Sequence, residues 1–533
     1  MKRVFLISIV FILSFAPIRA QHIIPLPVSL IKGQDRNNFH LNAETIIEVS
    51  DTALNRSANY LKTYLNTYYS IRPIASLAIK DLSSRNSIVL NRLAQVFPNE
   101  DQYTLSVTKN NIQISAATEE GIFYGVQTLI QMLPVDKLSS ELEIQSAEIL
   151  DYPRFAYRGM HLDVSRHFFP IDIVKRYIDY LALHKMNYFH WHLTDDHGWR
   201  IQIKKYPRLT EIGAWRNGTI VGLYPGTGND KKRYGGFYTQ EEIKEVIKYA
   251  SERYINIIPE IEMPGHSMAL LAAYPEFGTA PGKPTEVAQT WGIFNKFNNV
   301  LQPSEKTFNF MQDILTEVID LFPSPYIHIG GDECSKIWWK QSQVSQGIMK
   351  ANGLKNETAL QSYFIHKIQE FVNSKGKTII GWDEIMDGGL APNSVVMSWR
   401  GEQGGIKAAQ LKHRVIMTPE NSLYFNHAQF LKDDSLTAAK YLPLEVVYNY
   451  DPVPSVLTKE QSKYIWGAQA NLWTEYISNG AKVDYMLFPR IDALSELLWT
   501  PKSSKNFQSF KVRLSTQLKR YDLLQIKYSN RYR

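Results

Sequence analysis

The sequence predicts an α/β fold in which a (β/α)8 TIM barrel follows a small α+β accessory domain. Short apolar strands alternate with amphipathic helical segments from Arg158 onward, which is typical of parallel β/α units. Eight such strands can be counted, the number that closes a barrel of this type. With 533 residues, the chain is also too long for one ordinary core of about 150 residues.

The chain divides into four segments in this interpretation. We expect a signal peptide at 1–20, the accessory domain at 21–152, the barrel at 153–501, and a C-terminal helix and tail at 502–533. In the accessory domain, alternating strands are predicted at 45–49, 87–90, 103–107 and 112–115, and helices at 53–69 and 119–132. Pro153 marks the link to the barrel.

The barrel strands are predicted from short apolar runs that end in polar residues. They lie at 158–164, 186–193, 255–262, 326–333, 377–384, 394–401, 414–419 and 464–473. Helices are expected between several of them, at 171–184, 239–253, 307–322 and 358–374. Since the site of such a barrel lies where its strands end, functional residues are sought at those ends.

The first 20 residues have the layout of a secretory signal peptide. Lys2 and Arg3 precede an apolar stretch, and Ala20 provides a small residue at the expected cut, although Arg19 beside it fits the pattern poorly. We therefore expect export to the periplasm or the exterior, with outer-membrane association possible, rather than an uncleaved anchor or a buried strand. No later run is long and apolar enough to span a bilayer.

The net charge and the single cysteine argue against two functions, nucleic-acid binding and catalysis by a cysteine nucleophile. Removal of residues 1–20, which contain three basic and no acidic residues, lowers the formal charge from +7 to +4, an excess too weak to indicate nucleic-acid binding. Cys334 is the only cysteine, so no intramolecular disulfide can form. It follows Glu333 directly, but a nucleophile would need a basic neighbour, so we interpret it as an apolar filler beside a site.

Charged and aromatic side chains recur at the predicted strand ends. Carboxylates are costly to bury unless they are paired or used, so their presence on one rim indicates a site. Their types favour sugars, because aromatic rings stack on pyranose faces while Arg, Asp and Glu bind hydroxyl groups. The rim comprises Asp163, Arg166, Asp195, Asp196, Glu260, Glu262, His266, His328, Asp332, Glu333, Trp382, Asp383, Glu384, Trp399, Arg400, Tyr424, Asn426, Trp473 and Glu475.

The segment His328-Ile-Gly-Gly-Asp-Glu333 carries the clearest chemical signal. Two glycines before two acids let the backbone turn tightly at the strand exit, so that Asp332 and Glu333 can reach one ligand. Glycoside cleavage needs a proton for the leaving oxygen and a group that stabilises the anomeric carbon. Adjacent acids cannot easily flank a sugar from opposite sides, but they suit a mechanism in which a substrate acetamido oxygen is the nucleophile.

Six ordered motifs carry a resemblance to a known family. RGMHLDVSRHF, NYFHWHLTDDHGWR, PEIEMPGH, HIGGDE, GWDE and GAQANLWTE, between Arg158 and Trp499, resemble the family 20 glycoside hydrolases, the β-N-acetylhexosaminidases. The N-terminal region is similar to the accessory domain of that family. The resemblance implies exo-hydrolysis of terminal N-acetylhexosamines with net retention through an oxazolinium intermediate, in which Asp332 holds the 2-acetamido group and Glu333 is the general acid and then the base.

The same resemblance implies roles for the remaining pocket residues. Arg158 should bind the 3- and 4-hydroxyls and Glu475 the 4- and 6-hydroxyl side, while Asn426 stands where many members carry Asp. Asp195 or Asp196 is expected to form a relay with His266 that tunes the general acid. Aromatic residues should wall the acetamido pocket and the sugar face, with a tyrosine bonded to the acetamido oxygen: Trp382, Trp399, Trp473 and Tyr424.

Other interpretations of these residues remain open at this point. His190 and His192 share one face of a strand, which is metal-ligand spacing, but the resemblance needs no metal or cofactor. A conventional two-carboxylate glycosidase would use Glu333 as nucleophile and ignore the acetamido group. A sugar-binding or sensing protein would keep the pocket without chemistry. The expected partner is a glycan or chito-oligosaccharide, and a homodimer is possible because dimers occur in the family.

Overall fold

The computed structural model describes residues 22–76, 86–135, 141–280, 285–292, 298–433 and 435–533. The predicted signal peptide at 1–20 lies outside these residues. The first unit contains the strands β1 (Ser29–Lys32), β2 (Phe39–Leu41), β3 (Ile46–Val49), β4 (Ile74–Ser76), β5 (Ser87–Arg92), β6 (Tyr103–Val107), β7 (Asn111–Ala116), β8 (Leu142–Ile144) and β9 (Ala147–Asp151), and the helices α1 (Asn55–Tyr69) and α2 (Glu119–Met132). Seven strands form one mixed sheet in the order β1-β9-β6-β7-β5-β3-β4.

The second unit begins with the strand at Tyr157. Its strands are β10 (Tyr157–Asp163), β11 (Tyr188–His192), β12 (Thr194–Asp195), β13 (Gly198–Trp199), β14 (Trp215–Arg216), β15 (Ile220–Val221), β16 (Gly228–Asn229), β17 (Tyr234–Gly235), β18 (Asn256–Glu260), β19 (Tyr326–His328), β20 (Thr378–Trp382), β21 (Val395–Ser398), β22 (Val415–Met417), β23 (His427–Ala428), β24 (Ala438–Tyr441) and β25 (Ile465–Ala470). Eight of these pair in parallel and close a barrel in the order β10-β11-β18-β19-β20-β21-β22-β25. The predicted (β/α)8 barrel and the accessory domain are therefore confirmed.

Helices surround the barrel and complete the chain. They are α3 (Ile171–Leu183), α4 (Arg208–Glu211), α5 (Gln240–Ser251), α6 (Met268–Ala273), α7 (Glu305–Leu321), α8 (Lys336–Gln341), α9 (Gln343–Ala351), α10 (Glu357–Ser374), α11 (Gln403–Gln410), α12 (Glu420–Leu423), α13 (Leu444–Asn449), α14 (Lys459–Ser462), α15 (Gly480–Leu487), α16 (Arg490–Trp499) and α17 (Phe507–Leu523). Within the described residues, no helix has the length and apolar character needed to cross a bilayer.

Several strands end earlier than their apolar runs predict. The run at 326–333 forms a strand only to His328, because Gly330, Gly331 and Glu333 all have positive φ and turn the chain out of the sheet. At Gly331 the φ of 91° is one that side-chain-bearing residues rarely adopt, and an added Cβ would lie 2.6 Å from Ile385 Cγ2. The glycines therefore do create the tight turn that the sequence predicts.

Buried polar contacts join the accessory domain, the barrel and the C-terminal helix. Asp151 of β9 accepts hydrogen bonds from Lys185 Nζ at 3.0 Å and from Trp499 Nε1 at 2.9 Å. Arg513 of α17 donates two hydrogen bonds to Glu496 of α16, both at 2.6 Å. Arg520 donates to the carbonyl oxygen of Ile130 at the end of α2. Since unpaired buried charges are expensive, these pairs fix how the three parts contact one another.

Candidate active site

A pocket of about 300 Å³ opens at the carboxyl ends of the barrel strands. It is lined by Arg166, His266, Asp332, Glu333, Trp382, Trp399, Glu420, Tyr424, Asn426, His427, Ala438, Lys440, Trp473 and Glu475. Nine of the twelve residues to which the resemblance assigns a role are in this lining. Of the other three, Asp195 and Asp196 contact His266 from behind, and Arg158 lies elsewhere.

Asp332 and Glu333 enter the pocket from the turn that follows β19. The backbone of Glu333 has a φ of 43°, an uncommon conformation for a residue with a side chain, and the two preceding glycines make the turn possible. The side chain of Asp332 is 11% exposed and that of Glu333 is 33% exposed. One carboxyl is thus held deep in the pocket, while its neighbour reaches toward the opening.

His266 connects both carboxyls to a buried aspartate. Its Nε2 lies 3.3 Å from Glu333 Oε2 and 3.4 Å from Asp332 Oδ2. On the other side of the ring, Nδ1 lies 3.1 Å from Asp196 Oδ2 and 3.4 Å from Asp195 Oδ1. Burial lowers the pKa of His266, but the carboxylates of Asp195 and Asp332 outweigh it and hold that pKa well above its usual range. The imidazole is therefore a cation between acids.

Asp195 and Asp196 make different contacts, and these distinguish the two candidates for the relay with His266. Asp196 is closer to His266, and it also accepts hydrogen bonds from Asn298 Nδ2 at 2.6 Å and from the backbone of Met268 at 3.0 Å. Asp195 instead pairs with Arg166 at 2.7 Å and with His192 at 3.0 Å. Asp196 is thus the better placed of the two to orient His266, whereas Asp195 anchors Arg166.

Arg166 is positioned by the end of the first barrel strand. Asp163, the last residue of β10, accepts hydrogen bonds from the backbone nitrogens of Ser165 and Arg166 and so fixes the turn between them. The guanidinium lies 5.0 Å from the centre of the Trp473 ring and is nearly buried. Burial raises the pKa of the nearby Glu475 to about 7, although the charge of Arg166 opposes this shift.

Aromatic rings form the walls of the pocket. The ring centres of Trp382 and Trp473 are 5.8 Å apart, and Trp399 stacks on Tyr424 at 6.3 Å. Trp382 Nε1 donates to Glu260 at 2.8 Å, and Trp399 Nε1 donates to Glu384 at 2.9 Å, so both indoles are locked in orientation. Such a box excludes water and suits an apolar group such as the methyl of an acetamide.

Three buried oxygens at the pocket have no hydrogen-bond partner among the described residues. They are Asp332 Oδ1, Asn426 Oδ1 and Glu475 Oε2. A buried acceptor without a partner costs about 1–3 kcal/mol, so such groups usually meet a ligand or water. The pocket therefore presents acceptors for N–H and O–H donors at three of its walls.

Arg158 does not reach this pocket, which corrects the role that the resemblance assigned to it. It is the second residue of β10 and lies at the amino end of that strand, the opposite end of the barrel. Its guanidinium donates to the carbonyl oxygens of Lys185 and Phe155 and to Asp101, at 2.8–3.1 Å. The arginine that lines the pocket is Arg166, eight residues later in the same motif, where the strand has ended.

The loop after β22 adds residues that the sequence did not single out. Glu420, His427 and Lys440 also line the pocket, and Lys440 and Glu420 form an ion pair at its rim. β23 and β24 pair with each other, with Ala438 beside His427, and this pairing brings Lys440 to Glu420. No apolar run marks this short pairing, so the sequence carries no signal for it.

Histidines fill the barrel interior below the pocket. His190 and His192 of β11 both face Glu260, whose carboxylate lies 3.0 Å from His190 Nε2 and 2.8 Å from His328 Nδ1. Ligand atoms of His161, His190 and Glu260 lie close enough together to hold a metal ion. However, Gln469 Nε2 donates to His190 Nδ1 at 3.0 Å, which leaves the proton of His190 on the Nε2 that faces Glu260. A metal ion bound there would have to displace that proton.

Comparison with known proteins agrees with this geometry. The model of glycosyl hydrolase family 20, catalytic domain, matches residues 155–502, and that of glycosyl hydrolase family 20, domain 2, matches residues 20–152. A β-hexosaminidase of Porphyromonas gingivalis is 42% identical over 516 residues, which are 95% of this chain and 64% of that protein. The chain thus spans less than two thirds of that relative. A β-N-acetylhexosaminidase of Cellulomonas fimi is 30% identical, with 92% of each protein covered.

Solved structures are also similar to this chain. The exo-β-N-acetylglucosaminidase of Vibrio harveyi, solved in complex with N-acetylglucosamine, superposes with a TM-score of 0.87 at 33% identity, covering 96% of this chain and 79% of the other. The β-N-acetylhexosaminidase of Streptomyces coelicolor superposes with a TM-score of 0.81 at 30% identity, covering 96% and 97%. These similarities extend over both the accessory domain and the barrel.

Proposed function

Because this chain belongs to glycosyl hydrolase family 20, we propose that it is an exo-acting β-N-acetylhexosaminidase that removes terminal non-reducing N-acetyl-D-hexosamines, either GlcNAc or GalNAc, from glycans. The observation that carries the proposal is the adjacent pair Asp332 and Glu333 at the end of β19. Both carboxyls contact one histidine, and both line one aromatic pocket. The pocket volume of about 300 Å³ accommodates a single sugar unit, which favours removal of terminal residues.

Asp332 and the substrate perform the first half of the reaction. The unpartnered Oδ1 of Asp332 accepts the acetamido N–H, which turns the acetamido carbonyl oxygen toward the anomeric carbon. That oxygen forms a bond to the anomeric carbon while the bond to the leaving oxygen breaks. Glu333 gives its proton to the leaving oxygen, and the sugar remains as an oxazolinium ion beside the anionic Asp332.

Glu333 completes the second half. Its carboxylate, now deprotonated, takes a proton from water, and the water oxygen attacks the anomeric carbon from the face that the leaving group vacated. The oxazolinium ring opens and restores the acetamido group. Two inversions give net retention, and Glu333 regains the proton that the next cycle needs.

The residues behind Glu333 keep it in position for both steps. His266 Nε2 lies 3.3 Å from its Oε2, and Asp196 orients the imidazole from the other side. Arg166 and Glu475 bind hydroxyl groups at the closed side of the pocket, while Trp382, Trp399, Trp473 and Tyr424 enclose the acetamido group. Asn426 offers a further acceptor where a carboxylate would add a negative charge.

Matched nitrophenyl glycosides test the proposal. The β-glycoside of N-acetylglucosamine should be hydrolysed rapidly and the glucoside, which lacks only the acetamido group, hardly at all. Comparable rates on both substrates would indicate a conventional two-carboxylate glycosidase instead. Binding of N-acetylglucosamine without turnover of either substrate would indicate a sugar-binding protein.

Two variants separate the roles of the adjacent acids. Glu333→Gln should reduce turnover of substrates with poor leaving groups far more than that of nitrophenyl substrates, because activated leaving groups need little acid assistance. Asp332→Asn should reduce both, since it disturbs the nucleophile itself. Equal losses for Glu333→Gln on both kinds of substrate would contradict its role as the acid.

Export and self-association are further parts of the proposal. The charged, apolar and small-residue order of residues 1–20 supports secretion with removal of that segment. Amino-terminal sequencing of the protein from its host, together with fractionation, tests this, and an intact Met1 in the cytoplasm would contradict it. Light scattering of the purified protein decides between a homodimer and a monomer.

A further inference from the structure

A cleft of about 980 Å³ separates the accessory domain from the outside of the barrel. Helix α1 forms one wall, and the ends of α3 and α5 form the other, with residues 524–526 closing one side. Both barrel helices contribute their last turns, which lead directly into β11 and β18. The cleft therefore lies near the amino ends of the strands, away from the pocket at their carboxyl ends, and is more than three times as large as that pocket.

Five tyrosines line the walls of this cleft. Tyr60, Tyr64 and Tyr68 are four residues apart on α1 and so lie on one face of the helix. Tyr180 of α3 and Tyr249 of α5 face them from the barrel. Tyr60, Tyr68 and Tyr249 are each partly exposed, although the Arg253 guanidinium lies 3.4 Å from the centre of the Tyr249 ring and 5.5 Å from that of Tyr60.

Polar groups are interleaved with the rings. Asp179 pairs with Arg253 at 2.5 Å and accepts a hydrogen bond from Tyr249 Oη at 2.8 Å, so both of these side chains are fixed. The Nε of Arg176 is buried and finds no acceptor among the described residues, although the same guanidinium contacts Asp484 at 3.2 Å. The exposed mouth carries hydrogen-bonding side chains from α1: Asn59, Thr63 and Thr67.

We propose that this cleft is a second, non-catalytic oligosaccharide-binding site, which takes a chain of at least two pyranose units. Flat aromatic faces beside fixed carboxylate, guanidinium and hydroxyl groups are what pyranose rings bind, because each sugar presents an apolar face and a rim of hydroxyls. The volume lies at the upper end of the roughly 300–1,000 Å³ found for small-molecule sites, which is more than one sugar requires. Among the described residues, two acids line the cleft, Asp179 and Glu252, and Asp179 is already bound by Arg253 and Tyr249, so we expect the cleft to bind without cleaving.

This inference goes beyond the proposed activity, since the cleft would hold a glycan whether or not the barrel hydrolyses it. Binding at both ends of the barrel would keep the enzyme on a polymer or a glycan-covered surface between cleavage events. The effective concentration of chain ends near the catalytic pocket would rise accordingly.

Titration calorimetry with chitotetraose on the full-length Glu333→Gln variant tests the proposal. In this slow background, we expect two tetrasaccharides per chain. Adding Tyr68→Ala, which removes a partly exposed ring, should leave one. Thr63→Trp, which fills the mouth from an exposed position without removing any packing, should do the same if Tyr68→Ala does not fold. Tyr363→Ala is the matched control, because Tyr363 is a partly exposed tyrosine of α10 outside the cleft, and it should leave two.

A variant of the catalytic pocket distinguishes failure of the cleft proposal from failure of the proposed activity. Trp473→Ala in the same background should abolish binding at the barrel rim and retain the cleft site. Two sites that survive both Tyr68→Ala and Thr63→Trp would overturn the proposal, as would a single site that only Trp473→Ala removes. A single site that Trp473→Ala leaves intact and Tyr68→Ala removes would instead support the cleft and count against the proposed catalytic pocket.

Discussion

Replacement of Arg166 by lysine tests whether Arg166, and not Arg158, is the arginine that binds the sugar. The side chain of Arg166 is 7% exposed, and its two terminal nitrogens contact Asp195 at 2.7 Å and Asp163 at 3.4 Å. Its Nε has no acceptor among the described residues, and further N–H groups remain for a ligand. Arg166→Lys retains the positive charge beside Asp195 but loses the planar fork that can bind protein and sugar at once.

The expected loss follows from the hydrogen bonds removed. A hydrogen bond that involves a charged group contributes about 1.5–3 kcal/mol, and a tenfold change in rate corresponds to about 1.4 kcal/mol. Loss of one such bond to a sugar hydroxyl should therefore lower kcat/KM roughly 10- to 150-fold. The assay is hydrolysis of nitrophenyl N-acetyl-β-glucosaminide, with thermal unfolding measured in parallel to separate catalysis from folding.

Arg158→Lys is the matched comparison. Arg158 binds Asp101 and backbone carbonyls at the far end of the barrel, so its replacement should lower Tm with little change in kcat/KM of the folded enzyme. An unchanged kcat/KM for Arg166→Lys would refute the reasoning. So would a large loss for Arg158→Lys with Tm unchanged, because it would restore that arginine to the sugar site.

Three further predictions concern protonation, backbone strain and thiol reactivity. Burial raises the pKa of Glu475 to about 7, so kcat/KM should fall as pH drops through about 7 and this carboxylate acceptor takes a proton. Glu475→Gln should flatten that limb of the pH profile, and an identical limb in the variant would exclude this group as its source. Gly330→Ala should lower Tm and activity, because φ is 66° and an added Cβ would lie 1.7 Å from Glu262 Oε2; a fully active variant with wild-type Tm would contradict the turn geometry. Burial raises the pKa of Cys334 to about 11, so its thiol should resist iodoacetamide at pH 8, and rapid labelling seen by mass spectrometry in the folded enzyme would show it to be exposed.

Strand periodicity predicted the barrel well because parallel strands are buried on both faces and read as apolar runs. Each of the eight predicted runs overlaps a strand of the closed barrel. The residue at which each strand ends was less predictable. The run to Trp473 stops as a strand at Ala470, since the chain then leaves the barrel to form the pocket wall.

The RGMHLDVSRHF motif alone does not show which of its arginines, Arg158 or Arg166, lies at the sugar pocket. Both arginines stand in one motif, and both are buried in the structure. They differ in their place along β10, since Arg158 is the second residue of the strand and Arg166 follows its last residue, Asp163. The rule that barrel sites lie at the carboxyl ends of strands favours Arg166, so counting the length of the strand would have found it. The pairing of Lys440 with Glu420 had no such signal, because it depends on how a loop folds back.

The acids of the site are kept in different protonation states by their immediate neighbours. Burial alone would raise the pKa of Asp195, but Arg166 and His266 outweigh it and hold that pKa well below its usual range. Glu384 has the opposite balance: burial and the charge of Asp332 raise its pKa to about 9, so it remains a neutral acid beside Trp399. A neutral Glu384 adds no repulsion to a charged Asp332, while the cationic His266 attracts it. The site can therefore place an anion under the developing oxazolinium charge, because burial raises the pKa of both Glu262 and Glu384 and keeps them neutral, while Arg166 and His266 supply two cations.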